Sequence, residues 1–209
     1  MNKTVIDLPK FGRAAEVRAA SYDEADNSVE VIWTTGAPVR RYSWREGVHY
    51  QEILEVTPEA VRLGRLNGGA PLLNTHSDYD LDDVIGVVVE GSARIENGVG
   101  YARVRLSPAA GDADTVAKIK DGIIRNISVG YAIHKVEKTT MGDGADEEWR
   151  VVDWEPMEIS AVPIPADAGS QIRKDSAEMR PCEFVVHTAT GRNDARRIRM
   201  AMRHRQSVA

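Results

Sequence analysis

Cysteine is almost absent from this chain: Cys182 is the single one in 209 residues. One thiol cannot form an internal disulfide, which suits a reducing compartment. Cys182 stands in a polar stretch far from any histidine-rich segment and reads as incidental. Phenylalanine is nearly as scarce, with two residues, so Val, Ile and Leu must build most of the core. No apolar run approaches the ~20 residues needed to cross a bilayer. Residues 1–7 (MNKTVID) lack the apolar stretch of a secretory signal, so a cytosolic protein is expected. Positive charge is not in excess either. The formal net charge is −5, which argues against nucleic acid as the principal partner. No GxxxxGK[ST] phosphate loop occurs, and the pair Gly68-Gly69 does not lead from a strand into a helix. No cofactor is expected.

What is present is the composition of a soluble globular protein, 42% hydrophobic and 28% charged. The length suits one domain of about 150 residues plus tails. The segments 16–21 and 29–34 are strand-forming and flank the turn-like 23–27 (DEADN), predicting a hairpin. Residues 38–50 read as a loop or edge strand. Thr57 as N-cap, Pro58 in the first turn and Gly68-Gly69 at the end predict a helix over 58–67. Residues 71–75 read as a strand leading into His76, and 78–83 as an acidic turn. Asn97-Gly98 between 85–95 and 101–106 is the clearest hairpin signal. Val116, Ile119, Ile123 and Ile124 share one face of a helix expected over 113–124. Residues 149–154 and 157–162 read as two further strands, separated from the strand after 127 by a mobile loop at 138–147. The segment 163–167 (PIPAD) is expected to close the folded part. The domain is therefore placed at 1–169 and a flexible tail at 170–209. Between Arg192 and Arg205 of that tail, six arginines (192, 196, 197, 199, 203, 205) stand against one acid, Asp194. Strands joined mostly by hairpins, with two helices, predict a mainly β, α+β architecture: an antiparallel barrel or sandwich with flanking helices.

The candidate chemistry centres on Arg125-Asn126-Ile127-Ser128-Val129-Gly130-Tyr131. Ile127, Val129, Tyr131 and Ile133 alternate with Ser128, Gly130, Ala132 and His134, the period-2 pattern of a strand with one face on a core. Small neighbours leave Ser128 approachable. A serine nucleophile needs a base and a group that orients the base. His76, in Leu72-Leu73-Asn74-Thr75-His76-Ser77-Asp78, is the candidate base. Glu158 is the candidate orienting carboxylate, with Asp153 as the alternative. Oxyanion donors are sought around residues 160–166. A rival reading is a metal-dependent hydrolase on His76, Asp78, Asp80, Asp82 and Asp83, an oxygen-rich set suited to Mg or Mn. It is the weaker one, because acidic turns are usually only solvated, and no metal is expected. His134 shares the Ser128 face. His49, His187 and His204 read as ordinary surface residues.

The order LLNTHSD, an Asn-Gly hairpin, a helix running into RNISVGY, and EISAVPIPADAG resembles the prohead (procapsid maturation) serine proteases of tailed bacteriophages, over about residues 15–168. The resemblance implies a herpesvirus-protease-like fold, an antiparallel β-barrel ringed by helices. It implies a serine endopeptidase that works in the host cytoplasm, inside the assembling prohead. There it would cut scaffold or capsid-protein segments and itself. His76 and Ser128 match the family's catalytic positions, and Glu158 completes the expected triad. Scaffold and major capsid protein are the implied partners, with no membrane, and a homo-oligomer remains open. The tail is expected to act as a tether or a self-cleavage segment. The competing reading keeps the fold without the activity, as a structural component of the phage head.

Overall fold

Val29, Val31 and Trp33 are buried in a core while Glu30 and Ile32 between them are less buried, and a similar two-residue rhythm recurs in other strands. A computed structural model describes residues 2–8, 11–140, 146–164 and 180–188. It contains twelve strands: β1 (Asn2–Leu8), β2 (Phe11–Asp23), β3 (Ser28–Thr34), β4 (Val39–Ser43), β5 (Val48–Leu54), β6 (Pro71–Asn74), β7 (Val84–Val88), β8 (Arg94–Glu96), β9 (Val99–Leu106), β10 (Asn126–Thr140), β11 (Glu147–Ala161) and β12 (Arg180–Thr188). The α-helices are α1 (Gly64–Asn67) and α2 (Ala113–Lys120).

The strands form one sheet in the order β1-β12-β10-β2-β3-β9-β7-β6-β11-β5-β4, with β8 on β9. The fold is mainly β, as expected, but the expected closed antiparallel barrel ringed by helices is not what forms. The sheet is open, with β1 and β4 as its edges among the described residues. The ladders β10–β12, β11–β5 and β11–β6 are parallel. The physical reason is the length of β10 and β11, 15 residues each. Each serves different neighbours along its course. β10 pairs first with β2 and later with β12, and β11 first with β5 and later with β6. β10 and β11 also pair with each other, so the sheet folds back on itself around the core.

Trp154 lies at the centre of that core, edge-on to Trp33 (ring centroids 5.9 Å apart) and Tyr131 (5.6 Å). Its indole N–H donates to the Glu55 carbonyl at 2.8 Å, so the ring is buried without an orphaned donor. The Tyr131 hydroxyl donates to the buried Glu52 carboxylate and accepts from Arg41 Nη2 at 3.1 Å. Arg41 Nε donates to Glu52 at 2.9 Å. This polar knot pins the β4–β5 hairpin to the middle of β10.

Several expectations are corrected. The helix expected over 58–67 is reduced to Gly64–Asn67. The Thr57 hydroxyl does accept from the Ala60 N–H, but Val61 bridges to Trp154 and the Trp154 N–H donates to the Ala60 carbonyl. The backbone of β11 thus captures groups that a helix would have used. α2 stops at Lys120, Gly122 takes a left-handed φ of 69°, and Ile123 is exposed instead of packing on the helical face. Residues 149–162 do not form two strands, because β11 runs through Pro156 with a register irregularity opposite Gly130/Tyr131. β10 extends to Thr140, which shortens the expected loop at 138–147; residues 141–145 lie outside the described residues.

The largest correction is at the expected end of the fold. β12 inserts between β1 and β10, and it buries Cys182, Phe184 and Val185. The folded part therefore continues past residue 169, and Cys182 is a core residue, not an incidental one. Burial, with Asp153 and Glu183 nearby, pushes its thiol pKa up to about 12. The arginine-rich run lies outside the described residues.

Candidate active site

The first part of β10 is an interior strand. Residues 126–131 pair with β2 on one side and 127–131 with β11 on the other. Backbone hydrogen bonds on both flanks fix the position of Ser128. Ser128 is the direct partner of Ser160, and Gly130 that of Glu158. Opposed residues of an antiparallel pair share a face, as do residues two apart. Ser128, Ser160 and Glu158 therefore project from the same side of the sheet. That side is not solvated: Ser128, Glu158 and Ser160 are 2%, 2% and 0% exposed.

β6 brings His76 to this place. It runs parallel to the end of β11, with Leu73 beside Ser160 and Asn74 beside Ala161. The Thr75 N–H extends the ladder by donating to the Ala161 carbonyl at 2.9 Å. Thr75 and His76 then adopt left-handed φ values of 54° and 61°. Two successive non-glycine residues there cost of order 1–3 kcal/mol each. The turn is held by the Ser77 N–H on the Asn74 carbonyl (3.0 Å) and by the His76 N–H on the Ser160 hydroxyl oxygen (3.2 Å). His76 Nδ1 meets Glu158 Oε1 at 2.7 Å. With Glu158 ionised, Nδ1 carries the proton and donates, which leaves Nε2 as the basic nitrogen. The carboxylate is fixed from its other side, because the Ser160 hydroxyl donates to Glu158 Oε2 at 2.6 Å.

Ser128 Oγ is buried and has no hydrogen-bond partner among the described residues. It thus shares a face with Glu158 and Ser160 without a direct bond to His76. Nucleophile–base hydrogen bonds are commonly long in unliganded enzymes and close in the substrate complex. Of the region searched for oxyanion donors, Pro163 and Pro165 have no N–H, and the Val162 N–H donates to the Asn126 carbonyl at 3.0 Å. Residues 165 and 166 lie outside the described residues.

The other candidates fall elsewhere. Asp153 forms a two-pronged pair with Arg62, 2.7 Å to Nε and 2.6 Å to Nη2, and is not the partner of His76. Asp83 accepts from the Ser77 hydroxyl, and Asp80 caps the turn at 81–83 through the Asp82 N–H. Among the described residues no three or more His, Cys, Asp or Glu side chains gather where they could hold a metal ion. His134 lies in β10 past the irregularity, with Nε2 3.9 Å from Glu155. The His49 ring packs on Tyr42 at 4.9 Å. The His187 side chain and His204 lie outside the described residues.

Ser160 is the residue that sequence reasoning missed, although period-2 counting from Glu158 puts it on the same face. Exposed apolar side chains also mark the loops that carry the site: Tyr79 and Leu81 after His76, Ile123 before β10, and Ile164 after β11.

A family model described as caudovirus prohead serine protease matches residues 55–183. Among curated proteins, the major capsid protein of Halomonas phage phiHAP-1 is 35% identical over 118 residues, 56% of this chain. That stretch spans 19% of the capsid protein's own length. No solved structure matches the chain.

Proposed function

The chain belongs to the caudovirus prohead serine proteases, and we propose that it is an endopeptidase with Ser128 as nucleophile, His76 as general base and Glu158 as the carboxylate that orients it. The observation that carries this reading is the His76 Nδ1–Glu158 Oε1 contact at 2.7 Å, on the sheet face that Ser128 shares. In the mechanism, His76 Nε2 takes the Ser128 proton as Oγ attacks a peptide carbonyl. The imidazolium formed beside the Glu158 carboxylate then protonates the leaving amine. Water repeats the sequence on the acyl-enzyme and releases Ser128. Burial of Glu158 strengthens its attraction for the imidazolium.

The substrates proposed are scaffold or capsid-protein segments in the assembling head, and the chain itself. The phage capsid relative supports that setting. The apolar side chains at 79, 81, 123 and 164 suit an extended peptide laid across the loops around the site. Among the described residues no helix is long and apolar enough to cross a membrane.

The competing reading, a structural head component without activity, draws on the missing Ser128–His76 hydrogen bond. One experiment separates the two. A fluorophosphonate is expected to phosphonylate Ser128 in the folded protein, with fluoride leaving, and the Ser128→Ala variant is expected to stay unlabelled and to leave scaffold uncut. Equal cleavage by wild type and variant refutes the endopeptidase assignment to Ser128.

A further inference from the structure

Ser160 is fully buried and makes two hydrogen bonds at once. Its hydroxyl proton goes to Glu158 Oε2 at 2.6 Å, and its oxygen accepts the His76 backbone N–H at 3.2 Å. Glu158 Oε1 returns to the same histidine through Nδ1 at 2.7 Å. Three hydrogen bonds close a ring through four groups: His76 backbone, Ser160 hydroxyl, Glu158 carboxylate, His76 imidazole. From this ring we infer that Ser160 is a positioning residue that sets both the plane of the Glu158 carboxylate and the backbone of His76, and so aims the imidazole at Ser128. The inference rests on the reading of Ser128, His76 and Glu158 given above.

The ring solves two physical problems. A buried carboxylate with one donor can pivot about its terminal torsion, which is soft. A second donor on Oε2 fixes the plane and leaves Oε1 for the imidazole. The left-handed turn at Thr75-His76 points the His76 N–H away from the β6–β11 ladder, and without Ser160 that donor would lose its partner beside a buried carboxylate. Bonds linked in this way polarise one another. The same commitment separates the two facing serines. Ser160 has its proton on a carboxylate and its oxygen on an amide, so it is spent structurally. Ser128 Oγ has no partner among the described residues, which leaves it uncommitted for the proposed attack.

The test is the rate of fluorophosphonate labelling of Ser128 as a function of pH, in the full chain. Ser160→Ala is expected to label about 10- to 100-fold more slowly, the factor a hydrogen bond to a charged group is worth, with the acidic limb of the profile displaced. Ser160→Thr keeps the hydroxyl and is expected to recover most of the rate and the wild-type limb. The low-field proton resonance of His76 Nδ1–H is expected in wild type and Ser160→Thr and lost in Ser160→Ala. If Ser160→Ala does not fold, a folded Ser160→Thr with the wild-type limb supports the inference, and one with a displaced limb and no low-field resonance overturns it. A wild-type rate, pH profile and resonance in Ser160→Ala overturns it and leaves the Ser128–His76–Glu158 reading intact. Labelling that maps to Ser160 in place of Ser128 overturns both. If folded wild type is not labelled, the protease reading fails, and the His76 resonance still decides the role of Ser160.

Discussion

Ser128 and Ser160 face each other as direct partners across the β10–β11 ladder, yet the Ser160 hydroxyl is fully engaged and that of Ser128 has no hydrogen bond among the described residues. Burying a hydroxyl without a partner costs about 1–3 kcal/mol. An orphan of this kind fits the nucleophilic role proposed for Ser128.

Ser128→Ala should therefore separate stability from activity. Cleavage and labelling are expected to fall by on the order of 10⁴-fold or more. Thermal stability is expected to stay level or rise by up to about 1 kcal/mol, since an unsatisfied group is removed. Calorimetry beside the labelling assay reads both, and a clear loss of stability would mean that Ser128 is satisfied in solution.

Glu158→Gln keeps the shape of the side chain and removes the charge that favours the imidazolium. A loss on the order of 10⁴-fold in turnover is expected, as for the loss of an orienting acid. Asp153→Asn is the matched control. Its partner is the half-exposed Arg62, so activity should hold and stability should change by less than about 1 kcal/mol. Turnover lost in Asp153→Asn and kept in Glu158→Gln would reverse the assignment.

Cys182 gives a pH-dependent signature. Its folded pKa, near 12, lies above its usual value of 9.0 because burial disfavours the thiolate. A raised pKa stabilises the fold below the unfolded value, and this contribution fades as pH climbs from about 9 towards 12. Wild type should lose stability over that range faster than Cys182→Ala, read as the difference between their melting curves. Native protein should also resist iodoacetamide at neutral pH until it unfolds. Parallel melting curves and rapid native alkylation would place the thiol in solvent.

Truncation after Gly169 removes β12. Burying a large apolar side chain is worth about 1.5–3 kcal/mol, and Phe184, Val185 and Cys182 go together. The loss is a large part of a typical domain's 5–15 kcal/mol, and it uncovers edges of β1 and β10. This variant is expected to aggregate or melt far lower than the full chain. An equal melting temperature for the two proteins would make β12 dispensable.

Local signals were readable where the physics is local. Asn97 and Gly98 take left-handed φ values of 52° and 76° in the turn between β8 and β9, as the Asn-Gly dipeptide demands. The turn between β2 and β3 and the strand into His76 also stand where composition put them. The helix over 58–67 failed because its caps were outweighed by bridging to Trp154, a contact 93 positions away that no window of sequence contains. β12 was missed because its apolar residues are few and follow a long polar stretch. Its place depends on two strands, β1 and β10, from distant parts of the chain.

By itself the sequence determined the alternating strands, the tight turns, and an alcohol, an imidazole and a carboxylate in separate segments. Side-chain chemistry and two-residue periodicity are properties of the chain alone. Only the tertiary structure decided that Glu158 and not Asp153 meets His76, that Ser160 closes the ring around them, and that Ser128 is unpaired among the described residues. Those outcomes depend on strand register, and register is set by packing between residues far apart in sequence.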